Sequence, residues 1–357
     1  MISYRENLLK FYNRKCPDYI PDMRRDFSPL NVSFCQYEAH PPVGESGYDG
    51  FGVYWQYEEK SKAHMPMPDP KTGKYVMTID DMENWRDFIK IPDPDSYDWE
   101  AHVARDMTGV RGGQVRPIAT MRGVESNPGE DADTKLVNVS IGHGMFERLH
   151  SLMGMEDGAM ALVAEPDAVR EFFDALADYK CKTIEKIVYY YPKVDLIDMS
   201  DDWGHQNAAF FSVDTWNELF RPGMTRIINC CKRLGVIFQL HSCGRWEKII
   251  PAAVDAGLEH WTSSQAVNDI ESILKTYGHR LTMIGGCDVK EIQLPGMTVE
   301  KIKECVGQRI DKLCRGGCLI PFGNSSTPFF RQAVEECVAE RADFYQKPEN
   351  RRVPDPD

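Results

Sequence analysis

Short apolar runs alternate with polar loops and amphipathic stretches through the second half of the chain. Leu196 to Met199 runs into Ser200, Asp201, Asp202, Trp203, Gly204, His205 and Gln206. Gly235 to Arg245 reads Gly-Val-Ile-Phe-Gln-Leu-His-Ser-Cys-Gly-Arg, mostly apolar until His241, Ser242 and Cys243 and broken at Gly244. Glu259 to Ser263 ends at Ser264 and Gln265, Leu281 to Ile284 in Gly285, Gly286, Cys287 and Asp288, and Cys318 to Phe322 in the loop Gly323 to Thr327. Runs of this length, closed by polar and glycine-rich loops, predict buried parallel strands. Helices are predicted between them. Ser212 caps one, Pro222 opens a second that buries Met224, Ile227, Ile228 and Cys231, and Gly235 ends it. Asn268 and Glu271 form a capping-box pattern for a helix through Tyr277; Thr298 starts a helix that stops at Gly316 and Gly317, and Pro328 opens the last.

The first half is less regular. A helical stretch gives way to irregular chain by Asp26, and Leu30 to Tyr37 alternates enough to predict the first strand, with Glu38 and His40 just beyond it. From Pro41 to Asp98 the chain is rich in Gly, Pro, Asp and aromatic residues, with a hairpin predicted around Lys71 to Val76 and no periodic core of its own. It reads as an insertion. Val115 to Met121 predicts the next strand, ending at Arg122 and Gly123, and Gly144 to Val163 predicts helix with a break at Gly154. Pro166 opens a clean helix with Val169, Phe172, Phe173 and Leu176 on one face, and Tyr189, Tyr190 and Tyr191 mark a helix end on the exterior. Strand, polar loop and helix in succession mean parallel strands joined by crossover helices. The expected fold is an α/β (β/α)8 TIM barrel with an N-terminal elaboration. Residues 1–114 hold the first strand and the insertion, 115–350 the rest of the barrel, and 351–357 a tail. A doubly wound open sheet is the alternative, but no Gly-x-Gly-x-x-Gly follows a strand.

Length and charge narrow the class. A chain of 357 residues accommodates one large barrel or two ordinary domains and buries a substantial core. With 55 acidic against 42 basic residues the formal net charge is -13, and no Lys/Arg run occurs, which argues against nucleic-acid and anionic-membrane partners and for a small-molecule substrate. The N-terminal residues lack the apolar core of a signal peptide and no stretch is long enough to span a bilayer, so a cytoplasmic location is expected. Eleven cysteines, odd in number and irregular in spacing, argue for free thiols and a metal site over a disulfide scaffold.

In a barrel the chemistry collects at the C-terminal ends of the strands. His241 and Cys243 lie two apart on a strand end and point to one side, where an imidazole and a thiolate suit a soft divalent metal such as zinc; a hydrogen-bonded His beside a structural Cys is the competing reading. Cys287 is the expected third ligand, since it ends a strand at the same height. Cys318 begins its strand, roughly 20 Å below the loop at Asn324, and is set aside. Asp201, Asp202 and His205 form a second cluster, expected to bind substrate or to act as acid, base or ligand, with a solvated acidic pair as the competing reading. Gln265 and Asn268 are ligand hydrogen-bonders or caps, Asn268 the cap. The loop at Asn324, before a helix N-terminus, suits an anionic group. Substrate contacts are expected at Gln265, Asn324, Arg122 and Trp203.

Taken together, the stretches Gly144 to Glu165, Asp198 to Gln206, Phe238 to Trp246, Gly285 to Asp288 and Gly316 to Asn324 resemble the uroporphyrinogen decarboxylase superfamily, and more closely its corrinoid-dependent methyltransferases. Asp-Asp-Trp-Gly-His-Gln with His-Ser-Cys-Gly carries the likeness. The resemblance implies a (β/α)8 barrel and transfer of a methyl group between a corrinoid (cobalamin) on a partner protein and a thiol, a reduced folate or a methylated oxygen or nitrogen compound. It implies zinc on His241 and Cys243. The branch's third ligand, a Cys after the last strand, falls near Asn324 here, so Cys287, His205 or an acidic residue stands in or zinc is absent. The decarboxylases' Arg-Gln-Ala-Gly-Arg stretch has no counterpart in Asp26 to His40, which argues against decarboxylation; a decarboxylase-like lyase and a non-catalytic scaffold for a corrinoid protein remain the alternatives.

Overall fold

A computed structural model describes residues 2–108, 126–288, 296–323 and 329–351. Seven parallel strands pair in chain order: β1 (Phe27–Leu30), β5 (Leu136–Ile141), β6 (Leu196–Ser200), β7 (Ile237–His241), β8 (His260–Ser264), β9 (Thr282–Gly286) and β10 (Leu319–Phe322). Three short strands, β2 (Gly47–Tyr48), β3 (Tyr54–Glu58) and β4 (Ala63–Met67), form a separate antiparallel sheet within the insertion. The large sheet curls. Phe27 on one edge strand and Ile320 on the other belong to a single apolar cluster with Leu136, Leu196 and Ile284, and Leu8, Phe11 and Tyr12 fill its centre. Strands from both edges reach one cluster only when the sheet wraps around it, with the helix Tyr4–Tyr12 as a plug. Ser3 and Glu6 close a capping box on that helix. Inside the curl, the Tyr12 hydroxyl donates to Gln239 Oε1 (2.8 Å) and Gln239 Nε2 to Asp198 Oδ1 (3.2 Å).

The α/β class and the parallel order agree with the sequence. An eighth strand and closure of the barrel are not seen among the described residues, and the strand expected at Val115 to Met121 lies outside them, as do Arg122, Asn324 and Pro328; the last helix is Phe330–Ala339. Expected helices form at Met145–Met153, Met155–Ala164, Pro166–Tyr190, Arg221–Leu234 and Val299–Leu313. Tyr189 is exposed as expected, but Tyr191 is buried and its hydroxyl donates to Asp106.

Several local expectations are overturned. Leu30 to Tyr37 is not a strand: β1 ends at Leu30 and Ser33–Glu38 is a 3₁₀ helix. Asp106 accepts the Ser33 N–H (2.7 Å), the donor a ladder would have needed. The hairpin lies at β3 and β4, not at Lys71 to Val76, where Asp69 accepts the Thr72 and Gly73 N–H groups in a turn that joins no paired strands. Asp269, not Asn268, caps the helix Ile270–Tyr277 by accepting the Ser272 N–H. Strand β5, Leu-Val-Asn-Val-Ser-Ile, has no counterpart in the sequence-based scheme; its Asn138 and Ser140 line the cavity described next. No helix among the described residues is long and apolar enough to cross a membrane.

Candidate metal centre

A cavity of about 850 Å³ opens at the C-terminal ends of the strands. Asn138, Ser140, Ser200 and His241 contribute from the strands, Asp202 and Glu147 from the segments that follow, and His40 with Trp55, His64 and Met65 of the insertion supplies the outer wall. Two buried ion pairs fasten that wall. Asp49 takes the Phe51 and Val53 N–H groups on one oxygen, and the Trp55 indole N–H (3.1 Å) and Arg148 Nη1 (2.7 Å) on the other. Lys180, on the inner face of the Pro166–Tyr190 helix, donates to both Glu38 oxygens (2.7 and 2.6 Å) and to the Gly142 carbonyl (2.9 Å). With two cations close by, the buried Glu38 carboxyl stays below its ordinary range despite its desolvation. Anchored in this way, Trp55 stacks on His143 with centroids 4.8 Å apart and planes 15° from parallel.

Asp202, His241 and Cys243 meet at the inner end. One donor atom from each lies within 4.8 Å of the others. His241 ends β7; Cys243 follows two residues later, its Sγ 3.5 Å from His241 Nε2 and 3.1 Å from Ser263 Oγ. The Cys243 N–H donates to Asp202 Oδ1 (2.6 Å), which ties the loop after β6 to the loop after β7. Gly244, at φ +76°, lets these loops touch; a Cβ there would run into the Gly204 carbonyl. Asn268 braces the turn by donating to the Gly244 carbonyl and accepting the Trp246 N–H, and Gln265 accepts the Gly244 N–H (2.7 Å).

Burial sets the electrostatics. It pushes the Asp202 carboxyl up to about 6 and Glu147 up to about 7, lowers His241, and raises the Cys243 thiol well above its ordinary value. His143 is pushed down to about 3, so it is neutral. Among the described residues the cavity lining holds acids and imidazoles and no Lys or Arg. Three donors, a buried imidazole and a half-buried thiol and carboxylate, converge within reach of one divalent ion. A thiolate, an imidazole and a carboxylate suit zinc, with the fourth position left for water or substrate. The donor set fits.

The structure redistributes the residues named from sequence. His241 and Cys243 come together, and Asp202 joins them where Cys287 was expected. Cys287 is buried in the main apolar core, where its electrostatic neighbours are Arg309 and Cys337 of the outer helices, and burial lifts its thiol to about 12. Asp201 points away from the cavity and accepts three N–H groups, from Met145 (3.1 Å), Glu147 (2.9 Å) and the Trp203 indole (2.9 Å). Two of these are orphan donors of the helix Met145–Met153, so Asp201 acts as its cap. Trp203 is core, edge-on to Trp216 and Trp246. His205 is exposed against Phe210, its Nδ1 accepting the Asn207 N–H. Gln265 binds loop atoms, while Arg122 and Asn324 lie outside the described residues. Sequence reasoning missed Glu147, whose Oε1 accepts the Asp202 N–H (3.3 Å) and whose Oε2 meets His143 Nδ1 (3.2 Å). The signal available was a His and a Glu four apart across a helix start.

Comparison with known proteins adds the lineage. In fold, the chain is similar to a methyltransferase from Methanosarcina mazei, with TM-score 0.53 and 14% identity over 97% of this chain and 100% of that one. Weaker similarities, to a Xaa-Pro dipeptidase (TM-score 0.27, 11% identity, 46% and 43% of the two chains) and to 2,3-dimethylmalate lyase (TM-score 0.23, 13% identity, 63% and 64%), carry no argument. No curated protein matches the sequence. The profile of the family described as Uroporphyrinogen decarboxylase (URO-D) matches residues 143–321, half of the chain and the half that carries Glu147, Asp202, His241 and Cys243. The chain belongs to the uroporphyrinogen decarboxylase family.

Proposed function

We propose that the protein is a methyltransferase of this superfamily, moving a methyl group between a corrinoid on a separate protein and a small acceptor or donor: a thiol, a reduced folate or a methylated oxygen or nitrogen compound. The observation that carries the reading is the cluster of Asp202, His241 and Cys243 facing the cavity. A decarboxylase of polycarboxylate tetrapyrroles needs cations to hold its substrate, and the described lining has no Lys or Arg. The similarity in fold to a methyltransferase from Methanosarcina mazei points the same way.

Asp202, His241 and Cys243 would hold zinc, with Asp202 as ligand in place of Cys287. When bound, zinc supplies Lewis acidity that makes a coordinated thiol available as thiolate near neutral pH. Glu147 faces the same space, and its carboxylate takes or returns the substrate proton, with His143 fixing its second oxygen. Trp55, His40 and His64 exclude water from the outer side.

Elemental analysis of protein purified without added metal or chelator tests the centre. Stoichiometric zinc in the wild type, lost in Cys243→Ala and Asp202→Asn, is expected, together with methyl transfer from methylcobalamin to thiol or folate acceptors. Zinc-free wild type would remove the metal assignment. Metal-independent turnover of uroporphyrinogen would replace the reading by a lyase, and association with a corrinoid protein that survives loss of His241 and Cys243 without any transfer would reduce the chain to a scaffold.

A further inference from the structure

Strand β8 carries a fault in its ladder. Thr262 pairs with Ile284 and Ser264 with Gly285, so Ser263 is an extra residue bulged out of register. Its backbone sits at φ +62°, in the left-handed region that a residue with a Cβ occupies only when its surroundings hold it there. The opposing strand is cut to fit. Gly285 packs so closely against Ser264 that a Cβ there would collide with the Ser264 carbonyl and hydroxyl. On the other side, the Trp261 indole donates to the Ser242 carbonyl (2.9 Å) and the Ser242 N–H to the Thr262 carbonyl (3.2 Å), locking β8 against the residue between His241 and Cys243.

A glycine would adopt this backbone without strain. What serine adds is a hydroxyl, and that hydroxyl, on a residue only 4% exposed, lies 3.1 Å from Cys243 Sγ. A thiolate has no proton to give, so with Cys243 ionised the serine must be the donor. We propose that Ser263 is a positioning residue for the metal centre: the bulge aims its O–H at the Cys243 sulfur, which holds that thiolate toward His241 and Asp202 and tempers its electron donation to the ion. This rests on the reading of Asp202, His241 and Cys243 as a metal site. It concerns neither the ligands nor the substrate but the group that disciplines the sulfur.

The test compares wild type with Ser263→Gly and Ser263→Ala. Glycine removes the hydroxyl and relieves the backbone; alanine removes the hydroxyl and keeps the Cβ. Metal-stripped protein is titrated with Co²⁺, affinity is taken from competition with a chelator, and the sulfur-to-cobalt charge-transfer band is recorded alongside a thermal melt. Both variants should bind Co²⁺ roughly ten-fold or more weakly, with the band moved to longer wavelength because the sulfur has lost its hydrogen bond. Ser263→Gly should melt no lower than wild type, so misfolding cannot account for the loss. Wild-type affinity and an unmoved band in Ser263→Gly would overturn the assignment and leave a purely architectural bulge. If the wild type itself binds no Co²⁺, the metal reading falls and this inference with it; if wild type binds and the variants match it, only the role of Ser263 falls.

Discussion

Lys180→Met is the most informative single change outside the candidate metal centre. Lys180 and Glu38 are 2% and 4% exposed, so their attraction is little screened and neither can turn to water. Methionine keeps most of the apolar stem of lysine but strips three donated hydrogen bonds, two from Glu38 and one from the Gly142 carbonyl. Glu38 is then left to Arg148 Nη2 at 3.6 Å, too long for a good hydrogen bond. Breaking one side of a buried pair costs about 3–5 kcal/mol. With an unfolding entropy of about 2.1 cal/mol/K per residue, a chain of 357 residues converts that cost into a fall of about 4–7 °C in Tm. Calorimetry of Lys180→Met measures it directly. The double variant Lys180→Met with Glu38→Leu should recover much of the loss, since an apolar pair leaves no charge stranded. A single variant that melts within a degree of wild type, or a double variant no better than the single, would refute the claim that this pair is an obligatory buried couple.

Two further outcomes follow from the buried acids. Burial raises the Asp198 carboxyl from its ordinary 3.8 to about 7; its contribution to stability is fully present below about pH 4 and is lost as pH rises through 7, a swing of up to about 4 kcal/mol. Asp198→Asn should therefore flatten the unfolding free energy between pH 5 and 8 relative to wild type, and parallel profiles would contradict the buried neutral acid. Asp201→Asn and Asp202→Asn should separate two adjacent residues: the first weakens the cap of a helix N-terminus and costs about 1–2 kcal/mol of stability with zinc retained, the second loses zinc. Matching zinc contents in the two variants would sink that division of labour.

How far these roles could be read from the chain depends on where their physics is stored. The strands of the second half were legible because each is a continuous apolar run closed by glycine or polar loops, and His241 and Cys243 stood out because a two-residue strand spacing already puts both on one side. Asp202 as a ligand was only one of several open choices. Its neighbour Asp201 has the same chemistry, and only the N–H groups at Met145, Glu147 and Trp203 claim one and free the other. Cys287 misled because a strand end gives height and not direction; it is buried in the apolar core. Strand β5 escaped because Asn138 and Ser140 face a cavity, breaking the apolar run that marks a core strand. Ser263 left no local trace, since a bulge is a property of two strands in register.

The outer wall of the cavity is an antiparallel ribbon outside the parallel sheet, held by Asp49 on Arg148 and by the nearby Glu38 on Lys180. The inner end belongs to loops after β6 and β7 that are wedged together at Gly204 and Gly244. On the proposed reading, choice of ligand and handling of the reacting atom are inherited on separate stretches, and an exposed residue such as Met65 can drift without disturbing the loops after β6 and β7. The freedom has a boundary. A ribbon transplanted into another barrel must bring along a partner for its carboxylate, because Asp49 without Arg148 would be an anion sealed away from water, and the graft would fail in folding before its preference for any ligand could be measured.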